Sequence, residues 1–277
     1  MLKKMILVAV VLGLFFSLAI FNTTMAAEET SATEEQPSLL DGILSHLKFD
    51  VSGDLNFSTI YMWRGIMLDG DAVVQPGFYV TTPESKFGRI KLGIWLNHDL
   101  ENKDNLKSSE TDYIIDYTYS FDAVNVSVGH TYYDFPDGFP ADGASRSFSR
   151  EFYAGFSLPK LFLTPSVYYY YDYGHKDDGG GEGSYTVLNL SYSKPFTVKR
   201  LPMSLDISGH VAHNNKLYYN GKGGDAAISA GITIPLTKNL SFKPNVNYSV
   251  PWGNLSDKSN GNQKDRFFTA LYFNYSF

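Results

Sequence analysis

The chain has 277 residues, a formal charge of −6 from 23 Lys and Arg against 29 Asp and Glu, and no cysteine. That balance gives no basic footprint for nucleic acid, and without thiols neither a disulfide framework nor a thiolate metal site is available. With 20 Tyr, 20 Phe and 24 Gly, the composition favours strands and turns over helices.

Lys3 and Lys4 precede an apolar run at 5–21, followed by Asn22-Thr23-Thr24-Met25-Ala26-Ala27. A charged start, an apolar centre and a small-residue site predict a signal peptide over 1–26, cut after Ala26. A membrane anchor competes with this reading, because the run approaches the shortest spanning helix. Small residues at 24 and 26 and the acidic Glu28-Glu29 favour cleavage. Loss of Lys3 and Lys4 with that segment takes the charge from −6 to −8. Within 27–47, residues 28–37 read as disordered. Ser38 could cap a short periplasmic helix over 38–47, with Leu39, Leu40, Ile43, Leu44 and Leu47 on one stripe. A plain linker is the other reading of that stretch. No other apolar run reaches spanning-helix length.

Residues 48–277 carry a different pattern. From residue 49 onward apolar and polar residues alternate in twelve successive runs, the period of a half-buried strand. The first run sets Phe49, Val51, Leu55, Phe57 and Tyr61 against Asp50, Ser52, Asp54 and Asn56. The fourth sets Tyr113, Ile115, Tyr117, Tyr119 and Phe121 against Asp112, Ile114, Asp116, Thr118 and Ser120. The seventh is read from Leu161 and Leu163 through Val167, Tyr169 and Tyr171. Most runs are about the nine to eleven residues that a tilted strand needs to cross a bilayer. Connections alternate too. Short links at 82–88, 121–123, 159–160, 194–202 and 235–239 alternate with polar loops at 97–111, 134–149, 174–184, 214–225 and 251–265.

The last run ends on Phe277, with Tyr275, Phe273, Leu271, Thr269 and Phe267 on the same face. It resembles the terminal insertion signal of Gram-negative outer-membrane barrels, carried by Phe273, Tyr275 and Phe277. A soluble sandwich would also alternate, with its apolar face inward. The signal peptide, the alternating loops and aromatics at strand ends favour the membrane instead. Tyr61, Trp63, Tyr132, Phe152, Tyr171, Tyr173 and Trp252 are expected in an outer girdle, and Tyr119, Phe121, Tyr275 and Phe277 in an inner one. The predicted fold is therefore all-β: a twelve-stranded antiparallel transmembrane β-barrel with short periplasmic turns and longer extracellular loops.

Twelve strands about 4.8 Å apart, tilted about 40°, close at a backbone radius of roughly 12 Å, so any path through the middle is narrow. By parity Asp50, Asp54, Asp112, Asp116, Glu151, Asp172 and Asp206 face inward with Arg64, Arg89, Lys91, Lys243 and Arg266. This is a mild acidic excess. Such charges can set a field that selects solutes, or can satisfy one another and stiffen the wall.

Ser58-Thr59-Ile60-Tyr61-Met62-Trp63-Arg64-Gly65, then Asp69-Gly70 and Gln75-Pro76, resembles the N-terminal signature of the TorF-type porins, small outer-membrane proteins. The resemblance implies a porin-like role. In it an aromatic-x-aromatic-Arg-Gly corner closes the first strand. Gly65 would permit the sharp turn. Arg64 would either meet an anionic solute or, as the favoured reading, pin the first hairpin.

An enzyme is the competing reading. Twelve-stranded outer-membrane phospholipases present His and Ser two apart on an outer strand face, and none of the six histidines is expected to make such a pair. Ser127 and His130, and His210 and His213, are three apart and so lie on opposite faces. Asp112 and Asp116 share a face about 14 Å apart, too far for an acid–base pair. The expectation is a non-enzymatic outer-membrane channel for passive diffusion of small polar solutes, with no cofactor and no bound metal. Its partners would be outer-membrane lipid, the solutes and, during insertion, the barrel-assembly machinery. A scaffold barrel with a blocked lumen and surface-contact loops is the alternative, and a lipid hydrolase a more distant one.

Overall fold

The computed structural model describes residues 49–101, 109–136 and 147–277. The expected signal peptide (1–26) and the 27–47 segment with its helix lie outside the described residues. The strands are β1 (Asp50–Ser58), β2 (Tyr61–Trp63), β3 (Ile66–Asp69), β4 (Val73–Thr81), β5 (Arg89–Asp99), β6 (Glu110–Ser120), β7 (Asn125–Phe135) and β8 (Ser147–Ser157). They continue as β9 (Ser166–Asp172), β10 (Gly183–Val198), β11 (Leu201–Asn215), β12 (Lys222–Pro235), β13 (Leu240–Gly253) and β14 (Arg266–Ser276).

All strands but β2 and β3 form one closed antiparallel barrel of twelve. Closure is made by β1, which pairs with β4 on one side and with β14 on the other, from Ser52↔Ser276 to Ser58↔Ala270. Closing the sheet on itself pairs backbone groups that an open sheet would leave unsatisfied, which hydrocarbon cannot tolerate.

Strand registers fix which way each side chain points. Leu92, Ile94, Ile115, Val128, Phe152, Tyr169, Val211, Ile228, Val246, Phe267 and Leu271 stand outward and exposed around the wall. A continuous apolar exterior of this kind is the face of a lipid-embedded barrel, not of a protein surrounded by water. Inward residues are polar and bonded to one another across strands. Asn56 donates to Gln75 (2.7 Å) and Gln75 to Asn97 (2.8 Å), linking β1, β4 and β5; Thr118 and Ser127 lie 2.8 Å apart between β6 and β7. Three inward glycines, Gly93, Gly129 and Gly155, lie beneath the rings of Tyr79, Tyr153 and Tyr168, so close that a Cβ would sit 2.3–2.6 Å from ring atoms.

The expected count of barrel strands and the alternation of short and long connections hold; several boundaries move. The first run ends at Ser58, and Tyr61 and Trp63 belong to a separate hairpin inside the barrel, not to an outer girdle. Tyr132, Phe152, Tyr171, Tyr173 and Trp252 do lie towards the long-loop end. Leu161 and Leu163 are not in a strand, because β9 begins at Ser166 after a turn over 158–165. The link read at 194–202 is strand on both sides of a two-residue turn, Lys199-Arg200, with φ of 48° and 75°. Loops 214–225 and 251–265 shrink likewise, because β11, β12 and β13 run further than their apolar residues extend. The overlong β10 pairs with β9 only as far as Asn189↔Ser166, with one more bond from Ser191 to Leu163. Residues 192–198 pair only with β11.

Candidate functional site

The interior is shaped by the segment between β1 and β4. After Ser58 the chain leaves the wall, Ser58 Oγ donating to the Ile60 carbonyl at 2.7 Å. β2 and β3 then pair through the two-residue turn Arg64-Gly65, where φ is 49° and 75°. Both values are left-handed, the geometry that matches the twist of a tight hairpin. Gly65 fits for a second reason: a Cβ there would lie 2.5 Å from the Cβ of Asp225 on β12, three strands round from β1. The hairpin therefore reaches into the lumen.

Apolar burial holds it there. Ile66, Leu68, Val73 and Tyr61 are buried with Tyr133, Phe135 and Leu255, flanked by Trp63, Trp95, Tyr218 and Tyr219. Each Ile or Leu so buried contributes about 1.5–3 kcal/mol. The long-loop mouth of the barrel thus has a small dry core of its own.

Arg64 fastens the tip. Its Nη1 and Nη2 donate to Glu151 Oε2 and Oε1 at 2.5 and 2.8 Å, and Tyr133 Oη donates to Oε1 at 3.0 Å. The guanidinium lies 4.4, 4.2 and 4.8 Å from the ring centroids of Trp63, Tyr170 and Tyr185. Burial works against the Arg64 charge, but the Glu151 carboxylate outweighs it and holds the guanidinium pKa above its ordinary value.

Around the hairpin the inward carboxyl groups are concentrated. Glu110, Asp112, Glu151, Asp172 and Asp225 are all buried. Tyr61 donates to Glu110 (2.9 Å), Ser149 to Asp172 (2.6 Å) and Tyr185 to Asp225 (2.9 Å), with His210 Nε2 2.7 Å from Asp225. Beneath the hairpin, towards the short-turn end, is a cavity of about 640 Å³ whose lining includes Asp54, Asn56, Gln75, Tyr79, Lys243 and Tyr272. A second space of about 230 Å³ reaches Arg64 past Ser208, His210, Ser229 and Asn247.

Of the inward charges expected from parity, Asp54, Asp112, Asp116, Glu151, Asp172, Asp206, Arg89, Lys91, Lys243 and Arg266 all fall on inward register positions. They do not form one mixed set. Arg89 pairs with Glu84 (3.8 Å) at the exposed short-turn rim, as Asp50 also lies at that rim. Lys91 and Lys243 are in the same half, over the rings of Tyr79 and Tyr272. Asp116 accepts from Tyr153 (2.7 Å) and Asp206 from Ser193 (2.6 Å). Carboxyl groups dominate the inward face of the other half, where Arg64 and Arg266 are the inward arginines among the described residues. Sequence reading missed Glu110, Asp225 and His210 because it placed the first two in loops. Extending β6 and β12 outward along the same parity finds both.

The expectation that no histidine has Ser two residues away fails at His210. Ser208 precedes His210 by two residues, and both face inward. His210 is engaged with Asp225, no bond joins it to Ser208 among the described residues, and the pair faces the lumen instead of the lipid.

A lipid-facing closed barrel with a polar, hairpin-constricted interior is the class of molecule that fold and site define. No family model matches the chain, and no curated protein is similar to it. Among solved structures it is similar to LpxR from Salmonella typhimurium (10% identity, 81% of this chain and 99% of that one, TM-score 0.49). It is also similar to an outer membrane channel from Pseudomonas putida F1 (8%, 88% and 100%, 0.48) and to the KdgM porin (14%, 82% and 99%, 0.45). At these distances the likeness is one of barrel architecture, and the activities of those proteins are not carried over.

Proposed function

We propose that the chain is a porin-like channel of the Gram-negative outer membrane, passing small polar solutes along a narrow lumen whose width is set by the β2–β3 hairpin. The observation that carries the reading is a cavity of about 640 Å³, lined by polar and aromatic side chains together, inside a barrel whose exterior is apolar. The resemblance of residues 58–76 to the TorF-type porins agrees with it. Lipid covers the outside, the long loops face outward from the cell, and Phe273, Tyr275 and Phe277 serve barrel assembly. Lumen-facing Asp54 and Asp116 bias the path towards cations.

The apolar packing of the hairpin at the mouth favours a second reading, a scaffold barrel with a closed lumen. Conductance in planar bilayers separates the two. The channel reading expects small steps from the wild-type chain and larger ones when residues 61–69 are replaced by a short Gly/Ser link. Silence from both, in protein shown to be folded, removes the channel and leaves the scaffold.

A further inference from the structure

Arg64 is held by groups that belong to the barrel wall. Glu151 on β8 offers both carboxylate oxygens in a plane, and Tyr133 on β7 fixes that carboxylate from the side at 3.0 Å. Tyr170 and Tyr185, on β9 and β10, supply ring faces. Each ring is set by its neighbours. Tyr185 donates to Asp225, and Tyr170 packs between Tyr153 and Tyr185, at centroid separations of 5.4 and 6.3 Å. A planar fork against a carboxylate with aromatic faces alongside is the arrangement that recognises a guanidinium and not merely a positive charge.

The occupant's backbone points the same way. Arg64 sits at φ 49°, a conformation that disfavours a side chain bearing a Cβ, in a turn where Asn or Gly would be unstrained. The hairpin has a side chain there despite that cost, and the side chain fills the pocket. A space of about 230 Å³ is lined by Arg64 itself together with Asn189, Ser208, His210 and Asn247.

We propose that the Glu151 pocket is a binding site for small guanidinium solutes, filled in the resting barrel by the chain's own Arg64. This deepens the channel reading by naming a solute class, and rests on that reading only for the route by which solute arrives. A tethered occupant acts at a high effective concentration, so a free solute must compete at millimolar levels or above. Arg64 is then both the latch of the hairpin and a stand-in for the solute.

Calorimetric titration of the folded full-length chain in detergent with methylguanidinium chloride tests this. Arg64→Gly vacates the pocket and relieves the backbone, and Arg64→Asn does the same with a different side chain; heat-modifiable gel mobility verifies folding of each. Both variants should bind methylguanidinium saturably and at least about tenfold more tightly than wild type, whose pocket is occupied. Tetramethylammonium, which has charge but no donors, should bind at least about tenfold more weakly, and Glu151→Gln added to Arg64→Gly should abolish binding. Equal binding by wild type and folded Arg64→Gly, or binding that survives Glu151→Gln, overturns the proposal. Bilayer conductance is measured separately. Binding without conductance supports the pocket and removes the channel, whereas conductance without binding does the reverse.

Discussion

Glu151→Gln converts the hairpin's fastening into a fault. The Arg64 and Glu151 side chains are 10% and 1% exposed, so the amide leaves a guanidinium buried with only ring faces and weak acceptors. Removing one partner of a buried ion pair costs about 3–5 kcal/mol. Burial of Ile66 and Leu68 favours docking by a similar amount, about 1.5–3 kcal/mol each, before the entropy of ordering the hairpin is subtracted. The ratio of docked to released hairpin should therefore fall by a factor of about 10² to 4 × 10³. The chain has no cysteine, so Leu68→Cys introduces a unique thiol on the buried face of the hairpin itself. In that background, modification by a water-soluble maleimide should be very slow, and Glu151→Gln should accelerate it by about the same factor. Adding Arg64→Gly should recover part of the protection, because the unpaired charge goes with it. Equal labelling rates with and without Glu151→Gln would refute the assignment of this ion pair as the latch.

Gly155→Ala places a Cβ 2.3 Å from the Tyr168 ring and 2.6 Å from the Val167 carbonyl, and should destabilise the barrel by about 1–3 kcal/mol in urea unfolding from lipid vesicles. Lys199→Asn with Arg200→Gly relieves two left-handed residues and should raise the same unfolding free energy by about 1–2 kcal/mol. Reversal potentials across a salt gradient should show cations preferred over anions, more strongly at low ionic strength. Deleting Phe277, whose ring meets Phe78 and Tyr275 at 6.4 and 4.6 Å, should slow assembly into vesicles, read as a smaller heat-modifiable fraction at fixed time.

The barrel was legible in the sequence because side chains on a strand alternate with period two whatever they face, so Tyr113 to Phe121 read as a strand before any partner was known. Strand ends were less legible. β10 to β13 continue through Lys194, Pro195, Gly223 and Gly224, residues that resemble loop by composition but are carried by neighbouring strands. Tyr61 and Trp63 misled for a different reason: their alternation with Met62 is real, yet it belongs to a two-stranded hairpin that points inward. Parity assigns a face only within one continuous strand, and the break at Ser58 to Ile60 resets it. The carboxyl cluster was half visible. Asp112, Glu151 and Asp172 followed from alternation, whereas the meeting of Glu151 with Arg64, 87 positions before it, depends on closure of the whole sheet.

The overhang of β10 beyond β9 leaves one seam of the barrel open to the periplasm in the proposed orientation. Residues 192–198 have no strand on their outer flank, and an incoming extended chain could in principle zip onto them. Pro195 has no N–H to offer such a visitor, and Lys194 charges the approach. These two residues protect the uncovered edge against recruiting another extended chain, and exchanging Pro195 and Lys194 for Val and Thr should increase aggregation through it.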